Sequence, residues 1–283
     1  MSTARSPVLH ARSLLFVPAN RPERFAKALE SAADCVIIDL EDAVAADGKD
    51  RARAQLAQHL PRLTSGQRWR TLVRVNAVDT AWHAADLALL RDWTMHGVTV
   101  MLPKSEDAHA LRRVAEQLGA HARLVALVES LAGLDAADTL ARDPQVARLA
   151  FGHLDFQLDL GMRASPDEAE LAFARNALVA ASRRARLPAP IDGVTTRTDD
   201  AERLAADARR ARAFGFGGKL CIHPAQVAGV NEVMGYSADE QAWAHRVIEE
   251  AARHGGAAFS LDGRMVDLPV IRLAETIVAG ARA

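Results

Sequence analysis

Residues 123–155 read RLVALVESLAGLDAADTLARDPQVARLAFGHLD, and its two apolar runs, RLVALVES and RLAFGHLD, close on the carboxylates Glu129 and Asp155. Both runs are too short for free-standing helices and are rich in Val, Leu and Phe, so they read as strands buried on both faces. Between them, SLAGLDAADTLARDP spaces its apolar residues helically and stops at Asp143-Pro144, where proline cannot continue a helix. The unit is strand, helix, strand. Parallel strands bring their C-terminal ends to one side, which predicts that Glu129 and Asp155 sit at strand ends and face one crevice. Paired carboxylates there suit Mg²⁺, a hard cation that takes one or two protein carboxylates and completes its shell with water and substrate. The competing reading makes each acid the cap of the helix that follows it.

The same alternation runs outward along the chain. Strands are predicted at Leu14 to Pro18, Cys35 to Glu41, Thr71 to Asn76, Val98 to Lys104, Leu124 to Ser130, Arg148 to Asp155, Ile191 to Thr196 and Lys219 to Pro224. Helices are predicted at Pro22 to Ser31, Lys49 to His59, Asp107 to Leu118, Ala169 to Arg186 and Ala201 to Phe214. This pattern predicts an α/β fold, a (β/α)₈ barrel over residues 1–224. No Gly-x-Gly-x-x-Gly follows the first strand, which argues against an open dinucleotide-binding sheet. Residues 225–283 form a C-terminal helical extension: helices at Ala225 to Met234 and Ala238 to His254, a Gly-punctuated stretch, then a helix from Val270. The Gly-flanked stretch carries Asp262, Arg264 and Asp267 and is expected to act as a lid or subunit contact.

Lys+Arg 35 against Asp+Glu 36 leaves no global field for nucleic acid or a membrane surface. Only Cys35 and Cys221 are present, both in apolar runs, which implies buried thiols in a reducing compartment. The first residues lack the apolar core of a signal peptide, and no apolar run approaches a membrane span, so a cytoplasmic protein is expected.

In a barrel, functional side chains belong at the C-terminal ends of strands. The first strand leads into Asn20, Arg21, Arg24 and Lys27 around a helix start, a setting suited to phosphate. The second ends in Asp39, Glu41 and Asp42, acids that need cations, a metal or hydrogen-bond donors if buried. Arg74, in the third strand, pairs with those acids or binds a substrate carboxylate with its fork, and both can hold. Lys104 closes the fourth strand, facing the same mouth or pairing with Glu129 or Asp39. His153 is placed two residues before Asp155 on the same strand face, and His223 closes the eighth strand. Serine-hydrolase, zinc-protease and NTPase motifs are absent from the sequence.

Together, RSLLFVPANRPERFAKA, CVIIDLEDAV, LVRVN, LPKSE, LVALVES, FGHLDFQLDLG, GKLCIHPAQV and DGRMVDLPV make the chain resemble the citrate lyase β-subunit-like family of acyl-CoA lyases. That family is a branch of the aldolase superfamily built on the phosphoenolpyruvate/pyruvate barrel. The resemblance implies a barrel with a C-terminal extension, assembled as trimers or pairs of trimers. It implies Mg²⁺ on Glu129 and Asp155, with Asp39, Glu41 and Asp42 around the metal waters. Arg74 would contact the substrate carboxylate, Arg24 and Lys27 would lie towards the CoA phosphates, and Asp267 would reach a neighbouring subunit's site. The sequence departs at FGHLDF, where many relatives have Gly-Ala-Glu-Asp, so Leu154 stands beside the metal aspartate.

The expected activity is Mg²⁺-dependent cleavage of a 3-hydroxy-3-carboxy acyl-CoA to acetyl-CoA and a 2-oxo acid. Arg74 and Asp267 are the expected catalytic residues, and Glu41, Asp42 and Lys104 join Arg74 around the substrate. Leu154 favours the methyl group of citramalyl-CoA over malyl-CoA. Rival readings are a malyl-CoA thioesterase, a subunit acting on a carrier-bound citryl group, and an aldolase for free hydroxy-oxo acids. Against the last, DLEDAV stands where such aldolases carry a histidine base.

Overall fold

A computed structural model of the chain describes residues 6–281. They divide into two compact units that part between Asn231 and Glu232. In the first, eight strands close into a barrel: β1 (Ser13–Pro18), β2 (Cys35–Asp39), β3 (Thr71–Arg74), β4 (Thr99–Leu102), β5 (Leu124–Val128), β6 (Val146–Phe151), β7 (Ile191–Asp192) and β8 (Gly218–Cys221). Every pairing in the barrel is parallel, and β1 closes on β8. The fold is the α/β (β/α)₈ barrel expected from the sequence.

Alternation along the strands decides what lies inside. Leu14, Ile37, Leu72, Val125, Leu127 and Leu220 belong to one buried cluster. Continuing each strand by steps of two from Ile37, Leu72 and Leu127 reaches Asp39, Arg74 and Glu129. The register pairs Asp39 directly with Arg74. The apolar interior is therefore topped, at the C-terminal ends of its strands, by a layer of charge. The other end is closed by Arg148 of β6, whose guanidinium donates to the carbonyls of Val8 (3.2 Å), Ala11 (2.7 Å), Ala189 (2.8 Å) and Pro190 (3.3 Å).

Four elements differ from the sequence reading. β6 stops at Phe151; after Gly152 the chain turns into the short helix His153–Asp159, so Asp155 and His153 are not on a strand. Phe156 of that helix packs edge-on against Phe151 at 5.3 Å, and its N–H closes onto Gly152 O at 3.0 Å. The helix His83–Thr94 between β3 and β4 was not predicted, because it has no side-chain N-cap and its buried face includes Asp86 beside Leu87 and Leu90. The segment after β5 forms two short helices, Leu131–Asp135 and Ala137–Ala141, rather than one. β7 spans only two residues, where a longer run to Thr196 was expected.

In the second unit, helices Ala238–Arg253 and Leu268–Ala281 bury Ala244, Val247, Ala274 and Ile277 in a shared cluster. The Gly-punctuated stretch between them forms a hairpin, β9 (Phe259–Leu261) with β10 (Arg264–Val266). Asp262 and Gly263 both take positive φ, 51° and 75°, the backbone that a two-residue hairpin turn demands. Among the described residues no helix is long and apolar enough to cross a membrane.

Candidate active site

The mouth of the barrel is built on Arg74. Its Nε donates to Asp39 Oδ1 and its Nη2 to Asp39 Oδ2, both at 2.7 Å. Nη1 lies 2.9 Å from Glu41 Oε2, off the line of a hydrogen bond, and donates to Asp42 Oδ2 at 3.3 Å. Arg74 thus pairs with the acids of the β2 end. The fork is taken by Asp39, and only the Nη1 edge faces Glu41 and Asp42. Asp39 also accepts from the backbone N–H groups of Glu41 (2.9 Å) and Ala43 (3.0 Å), so its carboxylate folds the acidic turn around itself.

Across the mouth, Glu129 is buried and accepts the Lys104 backbone N–H at Oε1, 2.8 Å away. That contact requires Lys104 to take a left-handed backbone, φ 45°, an uncommon state for a residue with a side chain. Lys104 thus meets Glu129 through its backbone, while its side chain is exposed and draws on Asp155 through its charge. Asp155 is exposed in the first turn of its helix, not at a strand end.

The acids outnumber the cations around them, and their protonation reflects it. Burial pushes the Glu41 carboxyl up to about 8; Arg74 opposes this, while Asp42, Glu129 and Asp39 add to it. Burial likewise lifts Glu129 to about 7, against the Lys104 N–H and Arg74 and with Asp155 and Asp42. Asp155 is raised by burial and then by Asp42. Carboxyl groups held this high are in want of a cation.

The remaining predicted residues are placed as follows. Asn20, Arg21, Arg24 and Lys27 are exposed after β1, with Arg21 paired to Glu23 at 2.6 Å. His153 is buried; its Nε2 lies 3.7 Å from Glu168 Oε1, and burial pushes its pKa down. His223 accepts the Ala225 N–H at the start of helix Ala225–Met234, a local capping role. Leu154 is 46% exposed. Asp267 lies in the second unit and caps helix Leu268–Ala281, accepting the Val270 N–H at 3.4 Å.

Three features of the site escaped the sequence reading. Gly152 gives Glu129 room: a Cβ there would lie 2.6 Å from both Glu129 Cβ and Oε2. Lys49 reaches back from its helix to the carbonyls of the acidic turn. Behind His153, Glu168 collects Arg175 (2.5 Å) and Arg210 (2.9 Å), while Arg175 continues to Asp192 on β7. A glycine directly after a strand was the available signal for the first; the other two depend on contacts distant in sequence.

A sequence profile of the HpcH/HpaI aldolase/citrate lyase family matches residues 12–224. A citrate lyase subunit beta-like protein from Deinococcus radiodurans is 36% identical, covering 97% of this chain and 98% of the relative. A (3S)-malyl-CoA thioesterase from Cereibacter sphaeroides is also 36% identical, over 96% of this chain and 95% of the relative. The crystal structure of CitE from Mycobacterium tuberculosis, in complex with magnesium, acetoacetate and coenzyme A, superposes with a TM-score of 0.82 at 36% identity. That match covers 97% of this chain and 99% of the other. The barrel, its acidic mouth and relatives matched over nearly their whole length lead to one conclusion: the chain belongs to the HpcH/HpaI aldolase/citrate lyase family and is a lyase of its citrate lyase β-subunit-like branch.

Proposed function

We propose that the protein is a Mg²⁺-dependent lyase that splits a 3-hydroxy-3-carboxy acyl-CoA of the malyl or citramalyl type into acetyl-CoA and a 2-oxo acid. The observation that carries this reading is the under-neutralised acidic mouth, where Glu129 and Glu41 sit at about 7 and about 8. The donor set fits Mg²⁺. Glu129 and Asp155 offer oxygen ligands alone, and among the described residues no group of three or more His, Cys, Asp or Glu could hold a metal ion by itself, so the two carboxylates leave most of the shell to water and substrate, as Mg²⁺ binding commonly does. The Mycobacterium tuberculosis relative with magnesium, acetoacetate and coenzyme A supports the same assignment.

Glu129 and Asp155 would hold the ion, with Glu41 and Asp42 beside its waters. When bound, Mg²⁺ supplies Lewis acidity and a template for the hydroxyl and carboxylate oxygens of the substrate. Arg74, through its Nη1 edge, orients the substrate carboxylate. The substrate hydroxyl gives up its proton and becomes the carbonyl of the 2-oxo acid as the C–C bond breaks; the bonding pair leaves on the acetyl-CoA enolate. Glu41, whose buried Oε2 has no hydrogen-bond partner, is suited to take the hydroxyl proton once the ion holds it as a carboxylate. The enolate carbon then receives a proton, which we assign to Asp267 of a neighbouring copy in a trimer or a pair of trimers. Lys104 completes the substrate's polar surroundings, and Asn20, Arg24 and Lys27 receive the CoA phosphates. Buried Cys35 and Cys221, both free, accord with a cytoplasmic setting.

The thioesterase reading is favoured by four relatives, the (3S)-malyl-CoA thioesterases of Cereibacter sphaeroides strains. A panel of malyl-, citramalyl- and citryl-thioesters, with Mg²⁺ or EDTA, separates the two. A lyase releases acetyl-CoA and a 2-oxo acid; a thioesterase releases free CoA and the intact hydroxy acid. Free CoA alone, or turnover unaffected by EDTA, refutes the lyase assignment.

A further inference from the structure

Lys49 opens the helix Lys49–His59, and its side chain is drawn back towards the end of β2. The ammonium donates to Leu40 O and Glu41 O, both at 2.8 Å, and lies 5.4 Å from the centre of the Trp82 ring. Lys49 is buried, and among the described residues its nitrogen makes no ion pair, although the charges of Asp39, Glu41, Asp42 and Asp86 all act on it. A buried lysine beside several acids ordinarily takes one as its partner, because a salt bridge offsets the loss of hydration. This one takes two main-chain carbonyls instead.

The consequence lies in the turn it holds. Asp39 gathers the N–H groups of Glu41 and Ala43 from the inner side. Lys49 gathers the carbonyls of Leu40 and Glu41, and Glu41 O also accepts the Val44 N–H at 2.9 Å. Donors and acceptors of the same short turn are thus fixed by opposite charges. A lysine bonded to the Glu41 or Asp42 carboxylate would occupy oxygens that face the mouth; one bonded to carbonyls adds no partner to them beyond Arg74 and still places a positive charge behind them. We propose that Lys49 is a positioning residue that sets the Leu40–Ala43 turn, and through it aims the Glu41 and Asp42 carboxylates at the cation and substrate. The part concerning cation and substrate rests on the lyase reading; the part concerning the turn does not.

The test compares wild type with Lys49→Met, Lys49→Arg and Trp82→Leu in the full chain. Amide hydrogen exchange, measured without metal or substrate, reads the turn directly. In Lys49→Met the amides of Glu41, Ala43 and Val44 exchange roughly tenfold faster, the loss of about one hydrogen bond, while strand β5 keeps its protection. Lys49→Arg, which retains donors for both carbonyls, recovers protection. Trp82→Leu keeps the ammonium but removes the ring beside it; it gives a smaller rise in the same amides and decides the matter if Lys49→Met does not fold. Titration calorimetry then shows Mg²⁺ binding weakened roughly 10- to 100-fold in Lys49→Met, and kcat falls more than the KM for the acyl-CoA. Unchanged exchange in the turn, or acceleration spread evenly over the barrel, overturns the proposal. So does Mg²⁺ binding as tight as wild type or tighter, which would make Lys49 only an opposing charge. A wild-type protein without lyase activity refutes the lyase reading alone, because the exchange result stands without it.

Discussion

Replacing Gly152 by alanine puts a methyl group 2.6 Å from both Cβ and Oε2 of Glu129. Carbon atoms in ordinary contact lie about 3.5–4.0 Å apart, so the two groups must separate by roughly 1 Å. The backbone at Gly152 is held on both sides: its N–H donates to Val128 O at 2.9 Å, and its carbonyl accepts from Phe156 at 3.0 Å. Rotation of the Glu129 side chain clears Oε2 but not Cβ, which its own backbone fixes, so the end of β5 must shift as well and the carboxylate leaves the Lys104 N–H that it accepts at 2.8 Å. Overpacking of this kind costs about 1–3 kcal/mol, a drop of several degrees in Tm for a chain of this size. The functional loss is larger, since a 1 Å displacement of a group at the reacting centre costs on the order of 100-fold in rate. Titration calorimetry with Mg²⁺ and steady-state kinetics at pH 8, where Glu129 with its pKa of about 7 is ionised in wild type, measure both. A Gly152→Ala protein with wild-type Mg²⁺ affinity and turnover would falsify the assignment of Glu129 to the metal.

Arg148→Met leaves the carbonyls of Val8, Ala11 and Ala189 without its donors, and the loss is expected to destabilise the barrel by on the order of 3 kcal/mol. An unshifted denaturation midpoint refutes that. For Asp192, burial is the largest influence and pushes its pKa up, but Lys219, Arg175 and His153 outweigh it and hold the carboxyl below its ordinary value. Its contribution to stability is then present above about pH 4 and is lost as pH falls through the folded pKa. Asp192→Asn should unfold more easily at neutral pH and show a flatter acid limb in melting curves, whereas curves parallel to wild type contradict the network. Changing Arg24 and Lys27 together to alanine should raise the KM for the CoA ester more than it lowers kcat, and an unaltered KM returns both to a solvated surface. Mixing Asp267→Asn with Glu129→Gln protein after dissociation should regenerate activity if the site is shared between copies; activity no higher than the parents confines Asp267 to its capping role.

The barrel was legible in the sequence because its strands are buried on both faces and so write themselves as unbroken apolar runs, each stopping at a polar group. Local chemistry fixed helix Ala201–Phe214 as well, with Asp200 accepting the Arg203 N–H at one end and Gly215 in the left-handed region at the other. The same short-range logic placed Asp39, Arg74 and Glu129 at the mouth, since period-two alternation carries an inward-facing run directly to them. What the sequence left undecided depended on groups far apart along the chain. RLAFGHLD reads as one strand until Glu129, from the neighbouring strand, fills the space that only Gly152 leaves open and the chain turns into helix. Helix His83–Thr94 hides its pattern because Asp86 is buried on its inner face, tolerable through Arg53 at 2.7 Å and the backbone N–H (2.9 Å) and side-chain amide (2.7 Å) of Asn76. Which of the acids takes the fork of Arg74 was not written in the sequence; the register of β2 against β3 sets Asp39 beside it. Lys49 is in the sequence only the first residue of a helix; the fold brings the carbonyls of Leu40 and Glu41 to its ammonium. Hydrophobic period is a property of neighbours in sequence, whereas the neutralisation of buried charge is a property of neighbours in space, and only tertiary structure supplies the second.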